Sequence, residues 1–401
     1  MPFILSQFIE ACRWVGALLV LAVHSTNMFV SLADIMSAPH AAPVYVWWFF
    51  VSFELGHQAV LGFFVMSGYL VGGAVLAHLR KQQDFLREYL IHRFSRIYLV
   101  IAPALFVTLA FDMLGRSLFA DSGVYDWPIF KGHFTTPLFL ANLANLQNIA
   151  VDYFGTNGPL WSLACEFWYY ITFPLLLLPL GRNYSPVLRY GGFALGLVLV
   201  VALSIPQSWF KFGYILWVMG AIATLAPRPI IRSRWISLAI YAVVVILIRL
   251  LVRGPNLAAH PWLMDAADIV GSALFIVVIL SFRFGPHEGM SLFRPKIHKT
   301  LADFSFSLYS IHVPMLIFAR AAVGHILGRD WALQLATPQH YASATAIMAA
   351  TIASAYVFSR FTEAKTSAAR RALRRIFDRI APVELAPVEQ DAAPSRISPR
   401  S

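Results

Sequence analysis

"RWVGALLVLAVH", residues 13–24, is an unbroken apolar run with a guanidinium at one end and an imidazole at the other. Nothing polar lies between them. The run belongs to a longer apolar stretch, and about 17–25 such residues in helix cross a bilayer. The rest of the 401-residue chain repeats the pattern: 59% of it is hydrophobic and only 13% charged, and the mean hydropathy is +0.66. A soluble chain of this length carries far more charge. The runs are continuous and do not alternate, which excludes a β-barrel. These features predict an all-α polytopic membrane bundle of about ten transmembrane helices. The predicted spans lie near 11–31, 58–79, 97–115, 160–180, 189–206, 211–226, 235–252, 266–282, 301–322 and 341–360. The span at 211–226 is the weakest. An apolar piece at 44–53 reads as an interfacial helix, because Trp47 and Trp48 suit the membrane–water boundary.

Charge supports an even number of spans. With the N-terminus inside, 23 of the 31 basic residues fall on inner loops and the C-terminal tail, and seven fall outside. Arg13 stands at the inner end of the first span. The positive-inside rule therefore places both termini in the cytoplasm. The net charge of +11 is mostly topology. Spread over five inner segments with no soluble domain to present it, it speaks against nucleic-acid binding. The organisation expected is a membrane domain over 1–362, a basic amphipathic helix over 363–380 and a disordered tail over 381–401. Leu373, Ile376, Phe377 and Ile380 form the apolar side of that helix. A long outer loop at 116–159 is placed to cover a site. Residues 1–10 lack the basic region of a signal peptide, so the first helix is expected to remain uncleaved. Cys12 and Cys165 read as packing residues, with no disulfide framework and no metal site.

Ionisable groups at membrane depth are costly, so each is a functional candidate. Arg13 and His24 stand about 16 Å apart along one helix, and eleven residues at about 100° each return to nearly the same face. Ser67, Glu166 and His312 fall at depths that agree with His24 to within about a helical turn. A shared polar chamber, reached from both sides, accounts for all four and offsets their desolvation. Below it, Arg93 and Arg96 at i, i+3 join Arg13 in a basic rim suited to phosphates. An acyl-CoA thioester matches this layout, with phosphates at the rim and the acyl group near His24. A neutral histidine there is suited to take a proton from an acceptor hydroxyl, with Glu166 or His312 orienting it or helping to bind substrate.

These segments resemble the acyltransferase-three family, integral membrane O-acyltransferases of bacterial envelopes. "RWVGALLVLAVH" is similar to its first-helix Arg–His signature, "FFVMSG" to its Phe-Phe-x-x-Ser-Gly, and "RFSRI" to its basic motif. "WSLACE" and "SFSLYSIHVP" are similar to its Trp-Ser-Leu-x-x-Glu and late Ser-Tyr-x-x-Tyr-x-x-His-x-Pro motifs. All five occur in the family's order across residues 13–314. The resemblance implies transfer of an acyl group, usually acetyl from acetyl-CoA, to a hydroxyl of an envelope or exported carbohydrate, with no bound cofactor, in the bacterial inner membrane. It implies His24 as catalytic base with Glu166 beside it, and Arg13, Arg93 and Arg96 as acyl-CoA ligands. Ser67, Trp161, Ser162, Tyr309 and His312 would line the substrate chamber. Two departures stand out. Phe306 replaces a frequent Tyr, and Leu61-Gly62 stands where an acid often precedes Phe-Phe. Some relatives carry a hydrolase-like domain after the membrane part, and none is expected here.

Each candidate also has a structural reading. Arg13 suits a topology anchor, His24 a polar interhelical contact, Arg93 and Arg96 ordinary inner-rim charges, and Glu166 a charge at a helix N-terminus. Ser67 beside Gly68 suits a close helix contact, and His312 suits a cap for a broken-helix carbonyl. His57 and His78 belong to no motif and read as structural. A secondary transporter of a sugar or a proton-coupled solute is the competing function, although neither inverted repeats nor paired discontinuous helices are evident.

Overall fold

A computed structural model describes residues 1–30, 39, 42, 44–46, 53–252, 254–285, 295–329, 331 and 337–380. Trp47, Trp48 and the tail after residue 380, both given roles above, lie outside these residues. The helices are α1 (Phe3–Phe29), α2 (Phe53–Ser67), α3 (Gly73–Arg80), α4 (Leu86–Leu118), α5 (Thr136–Leu143), α6 (Trp161–Leu177), α7 (Pro186–Ser204) and α8 (Phe210–Ala223). They continue as α9 (Arg234–Leu251), α10 (Gly254–Ala259), α11 (Trp262–Phe284), α12 (Pro295–Ala302), α13 (Ser305–Leu327), α14 (Pro338–Phe361) and α15 (Thr366–Ile380). Among the described residues there is no strand beyond one isolated bridge between Gln147 and Val151. The chain is therefore an all-α, multi-pass membrane bundle.

Nine helical segments among the described residues are long and apolar enough to span. The remaining predicted span, the weak one at 211–226, is the short helix α8. The 14 residues of α8 rise only about 21 Å, less than the roughly 30 Å hydrocarbon core. Its position follows from glycine. A π-helical stretch, Gly68–Gly72, joins α2 to α3, and α8 packs directly on it. A Cβ on Gly68 would strike the Trp217 carbonyl oxygen, and one on Gly220 would strike the Val65 carbonyl oxygen. Without those side chains the two backbones touch, as small residues permit between membrane helices. Trp217, at the centre of this seam, is fully buried.

Lipid contact is written on α9. Ile236, Ile240, Val243, Leu247 and Leu250 are exposed at helical spacing, an apolar stripe that only a bilayer accommodates. α7 exposes Leu195, Val198 and Val201 in the same way.

The bundle has two unlike ends. One carries Arg13, the start of α4 and the C-terminal helix. The other carries residues 119–160, an ordered cap of 3-10 turns and α5. The cap is tied down at Asp112, whose buried carboxylate accepts bonds from the Thr156 backbone N–H (2.9 Å) and hydroxyl (2.8 Å). Asn157 Nδ2 donates to Thr108 Oγ1 and to the Ser310 carbonyl, each at 2.9 Å. Gly155 turns at φ +62°, where a Cβ would collide with Asp112; glycine suits both the left-handed backbone and the close approach.

α15 lies along the basic end with its polar side inward. Arg374 makes a two-pronged bond to Glu88 of α4 (Nε–Oε2 2.9 Å), and Arg87 pairs with Asp378 (2.7 Å). Ile376 and Phe377 are exposed, an apolar edge that the bundle leaves uncovered.

The glycine seam is open to test. Gly220→Val forces α8 away from α2 and should destabilise the protein by about 2 kcal/mol, in the range for overpacking. Thermal unfolding in detergent reads this, and an unchanged midpoint would show that the seam tolerates a side chain.

Candidate active site

Three adjoining cavities lie in series from the basic end toward the cap, each sharing lining residues with the next. The first, about 490 Å³, is lined by Arg13, Arg96, Asp303, Arg360, Glu363 and Arg370, among others. The second, about 250 Å³, shares Arg13 and Arg96 and adds Arg93, Ser67, Ser162, Glu166, Phe306 and Tyr309. The third, about 990 Å³ and beneath the cap, holds His24, His57, Trp127, Trp161 and Trp209. Val60 and Tyr309 line both the second and the third. Phe63 meets Tyr309 edge to face, 6.1 Å between centroids. These three side chains form a waist between the chambers.

Arg13 and His24 thus face one path but different chambers. The single chamber expected for His24, Ser67, Glu166 and His312 is divided at the waist. Ser67 and Glu166 lie on the basic side of it with Arg13, Arg93 and Arg96. Ser162 lines the middle chamber, Trp161 lines the outer one, and Tyr309 belongs to both. His312 is buried behind His24 and lines none of the three chambers. Phe306 faces the middle chamber, so the hydroxyl missing at this position is missing from the passage itself.

The two histidines are in contact. His24 Nδ1 lies 2.8 Å from His312 Nε2, with the rings stacked 5.0 Å apart. His312 Nδ1 lies 2.8 Å from the Tyr309 carbonyl oxygen. A carbonyl only accepts, so the His312 proton is on Nδ1 and its Nε2 carries the lone pair. His24 must then donate from Nδ1, which leaves the lone pair of a neutral His24 on Nε2. The helical turn of α13 that supplies the Tyr309 carbonyl thereby sets the tautomer of a residue on α1.

A second chain of bonds crosses the middle chamber. Trp217 Nε1 donates to Ser67 Oγ (3.0 Å), Ser67 Oγ is 2.9 Å from the Tyr170 hydroxyl, and Tyr170 donates to Glu166 Oε2 (3.0 Å). With its proton committed to Glu166, Tyr170 is left to accept from Ser67. Glu166 and Tyr170 are four residues apart on α6, the spacing that brings helical side chains together. Ser162 Oγ meets the Tyr309 hydroxyl at 2.8 Å. The Arg93 guanidinium lies 5.8 Å from the ring centroids of both Tyr89 and Tyr170, within cation–π range.

Two features escape a motif reading. His57, read above as structural, lines the same chamber as His24, and its Nε2 lies 2.9 Å from Asp268 Oδ2. Asp268 is fully buried and also accepts from Gln58 Nε2 at 3.2 Å. The sequence signal was an acid at membrane depth on a distant span; nothing in the spacing joins residue 57 to residue 268. Tyr170 and Trp217 likewise sit in no motif yet hold Ser67. Among the described residues no group of three or more His, Cys, Asp or Glu side chains is placed to hold a metal.

An acyltransferase domain matches residues 6–360. The chain is 26% identical over 332 residues to Acyltransferase MdmB of Streptomyces mycarofaciens, covering 74% of this chain and 77% of that protein. It is 30% identical over 133 residues to an uncharacterized protein of Haemophilus influenzae, covering 31% of this chain and 51% of that protein. No solved structure matches.

Removing the Tyr170 hydroxyl tests the buried bond chain. Tyr170→Phe strips a partner from both Glu166 and Ser67 and should cost about 1–3 kcal/mol of stability. Equal denaturation midpoints for variant and parent would mean the chain contributes nothing.

Proposed function

The chain belongs to the acyltransferase-three family, and we propose that it moves an acyl group, most simply acetyl, from acyl-CoA to a hydroxyl of an envelope or exported carbohydrate. The observation that carries this reading is the path of cavities from a cluster of arginines to a histidine with a defined basic nitrogen. The arginines suit the phosphates of the donor, which Arg binds with a planar fork. About 16 Å of helix then separates Arg13 from His24, room for an extended arm that carries its thioester through the waist. Glu166, Ser67 and Tyr170 line the passage that this arm occupies. By the positive-inside rule the arginine end faces the cytoplasm, which puts the cap and the outer chamber on the far side of a bacterial inner membrane. Trp127, Trp161 and Trp209 around the outer chamber offer flat apolar faces with polar edges, fitted to a sugar ring.

In this scheme the acceptor hydroxyl enters the outer chamber and places its proton on His24 Nε2. Its oxygen attacks the thioester carbonyl carbon. As the tetrahedral intermediate collapses, the C–S bond breaks and the proton returns from His24 to the departing sulfur. The products are an ester and free CoA thiol, and His24 regains its starting tautomer. His312 positions His24 through the Nδ1 bond and touches no substrate. Glu166 acts by holding the donor in the passage.

Two substitutions test the scheme. His24→Ala should lower the turnover of acyl transfer by roughly 10²–10⁴-fold, the usual worth of a general base, with donor affinity retained. A folded His24→Ala protein with full activity would sink the assignment. Val60→Trp should fill the waist. Thioester binding at the arginine end is then expected to persist while transfer to an acceptor stops; a variant that still transfers at the parental rate would refute passage through this gap.

A further inference from the structure

The family match ends at residue 360, and α15 lies beyond it. This helix nonetheless reaches the mouth of the path. Arg370 lines the 490 Å³ cavity with Arg13, Arg96 and Arg360. Two carboxylates share that lining, Asp303 and Glu363. One oxygen of Glu363 is engaged elsewhere: Oε2 accepts bonds from the Ser307 hydroxyl (2.7 Å) and backbone N–H (3.0 Å). Glu88, the acid nearest in effect to Arg370, is already taken by Arg374. The charge around Arg370 is therefore mainly of its own sign: Arg93, Arg96 and Arg374 all press on it.

The guanidinium groups here are incompletely satisfied. Arg370 Nε and Arg93 Nε are both buried from solvent, and neither has a hydrogen-bond partner among the described residues. A buried N–H without an acceptor is costly, and more so on a charged group. Several like charges around a cavity raise that cost further. An anion with several acceptor oxygens removes both penalties, and a guanidinium meets phosphate with two parallel bonds. The salt bridges from Arg374 to Glu88 and from Asp378 to Arg87 hold α15 in the position that presents Arg370.

We infer that α15 completes a phosphate-binding site at the mouth of the path, in which Arg370 and Arg96 grip the nucleotide phosphates of the acyl-CoA donor and Arg93 supports them from the adjoining chamber. This rests on the donor reading above and adds a binding residue from outside the family's domain. Anionic lipid headgroups carry the same phosphate chemistry. The cavity favours the soluble donor, because Arg13 and Arg96 line both it and the chamber that contains Glu166 and Ser67.

The test is a binding measurement on the full chain in nanodiscs of neutral phosphatidylcholine, with CoA and with adenosine 3′,5′-bisphosphate as probes. Arg370→Ala should weaken both ligands roughly tenfold, the scale of one lost charge-assisted bond. Arg370→Lys, which keeps the charge, should lose less, and Arg370→Gln serves if the alanine protein is poorly folded. Equal dissociation constants for parent and the folded Ala or Gln variant would overturn the inference. So would a difference that appears only after anionic phosphatidylglycerol is added, since the arginines would then belong to lipid. If the parent binds neither probe, the donor reading itself fails, a result distinct from failure of the Arg370 assignment.

Discussion

A bilayer interior provides no water to satisfy a hydrogen-bonding side chain, and the arrangement of this bundle follows from that constraint. Every polar group carried to membrane depth must find its partner on another helix or on its own backbone. His24 finds His312 across α1 and α13. Ser67 finds Tyr170 and Trp217 across α2, α6 and α8. His57 finds Asp268 across α2 and α11. Each bond fixes where two helices stand relative to one another, so the polar residues specify the packing that the apolar surface alone leaves loose. The apolar residues, alike on every span, choose only between lipid and protein.

The same bonds divide the interior by chemical character. On the basic side of the waist, arginines and a hydrogen-bonded carboxylate surround a narrow chamber. On the cap side, imidazoles and tryptophans surround a wider one. Tyr309 belongs to both: its ring helps close the waist, its hydroxyl meets Ser162, and its carbonyl sets the His312 proton. One residue thus couples the width of the gap to the tautomer of the histidine beyond it. The cap is bound to the bundle by Asp112 and Asn157, which holds its residues in place over the outer chamber.

Much of this was legible in the chain. Apolar run length exposes membrane helices directly, because a span must be continuous to cross. The matching face of Arg13 and His24 was also legible, since helical geometry relates residues on one helix without reference to any other. Legibility failed where contacts join distant segments. His57 looked ordinary because its partner is 211 residues away. The span at 211–226 was the weakest in the sequence; α8 is short and packs against α2 at the glycine seam, a contact that no local pattern shows. The shared chamber was read from depth alone, and depth does not reveal that Val60 and Tyr309 close between two groups at similar height.

The sequence by itself determined the class of fold, the approximate spans, the family, and a same-face arginine and histidine separated by about half a bilayer. These follow from local periodicity and composition, which each segment carries within itself. Only the tertiary structure decided which imidazole nitrogen holds the lone pair, which residues narrow the path, and that α15 turns Arg370 toward its mouth. Those features depend on pairings between helices remote in the chain. Hydrogen bonds of about 3 Å are made or missed by shifts far smaller than any pattern of residue types can express.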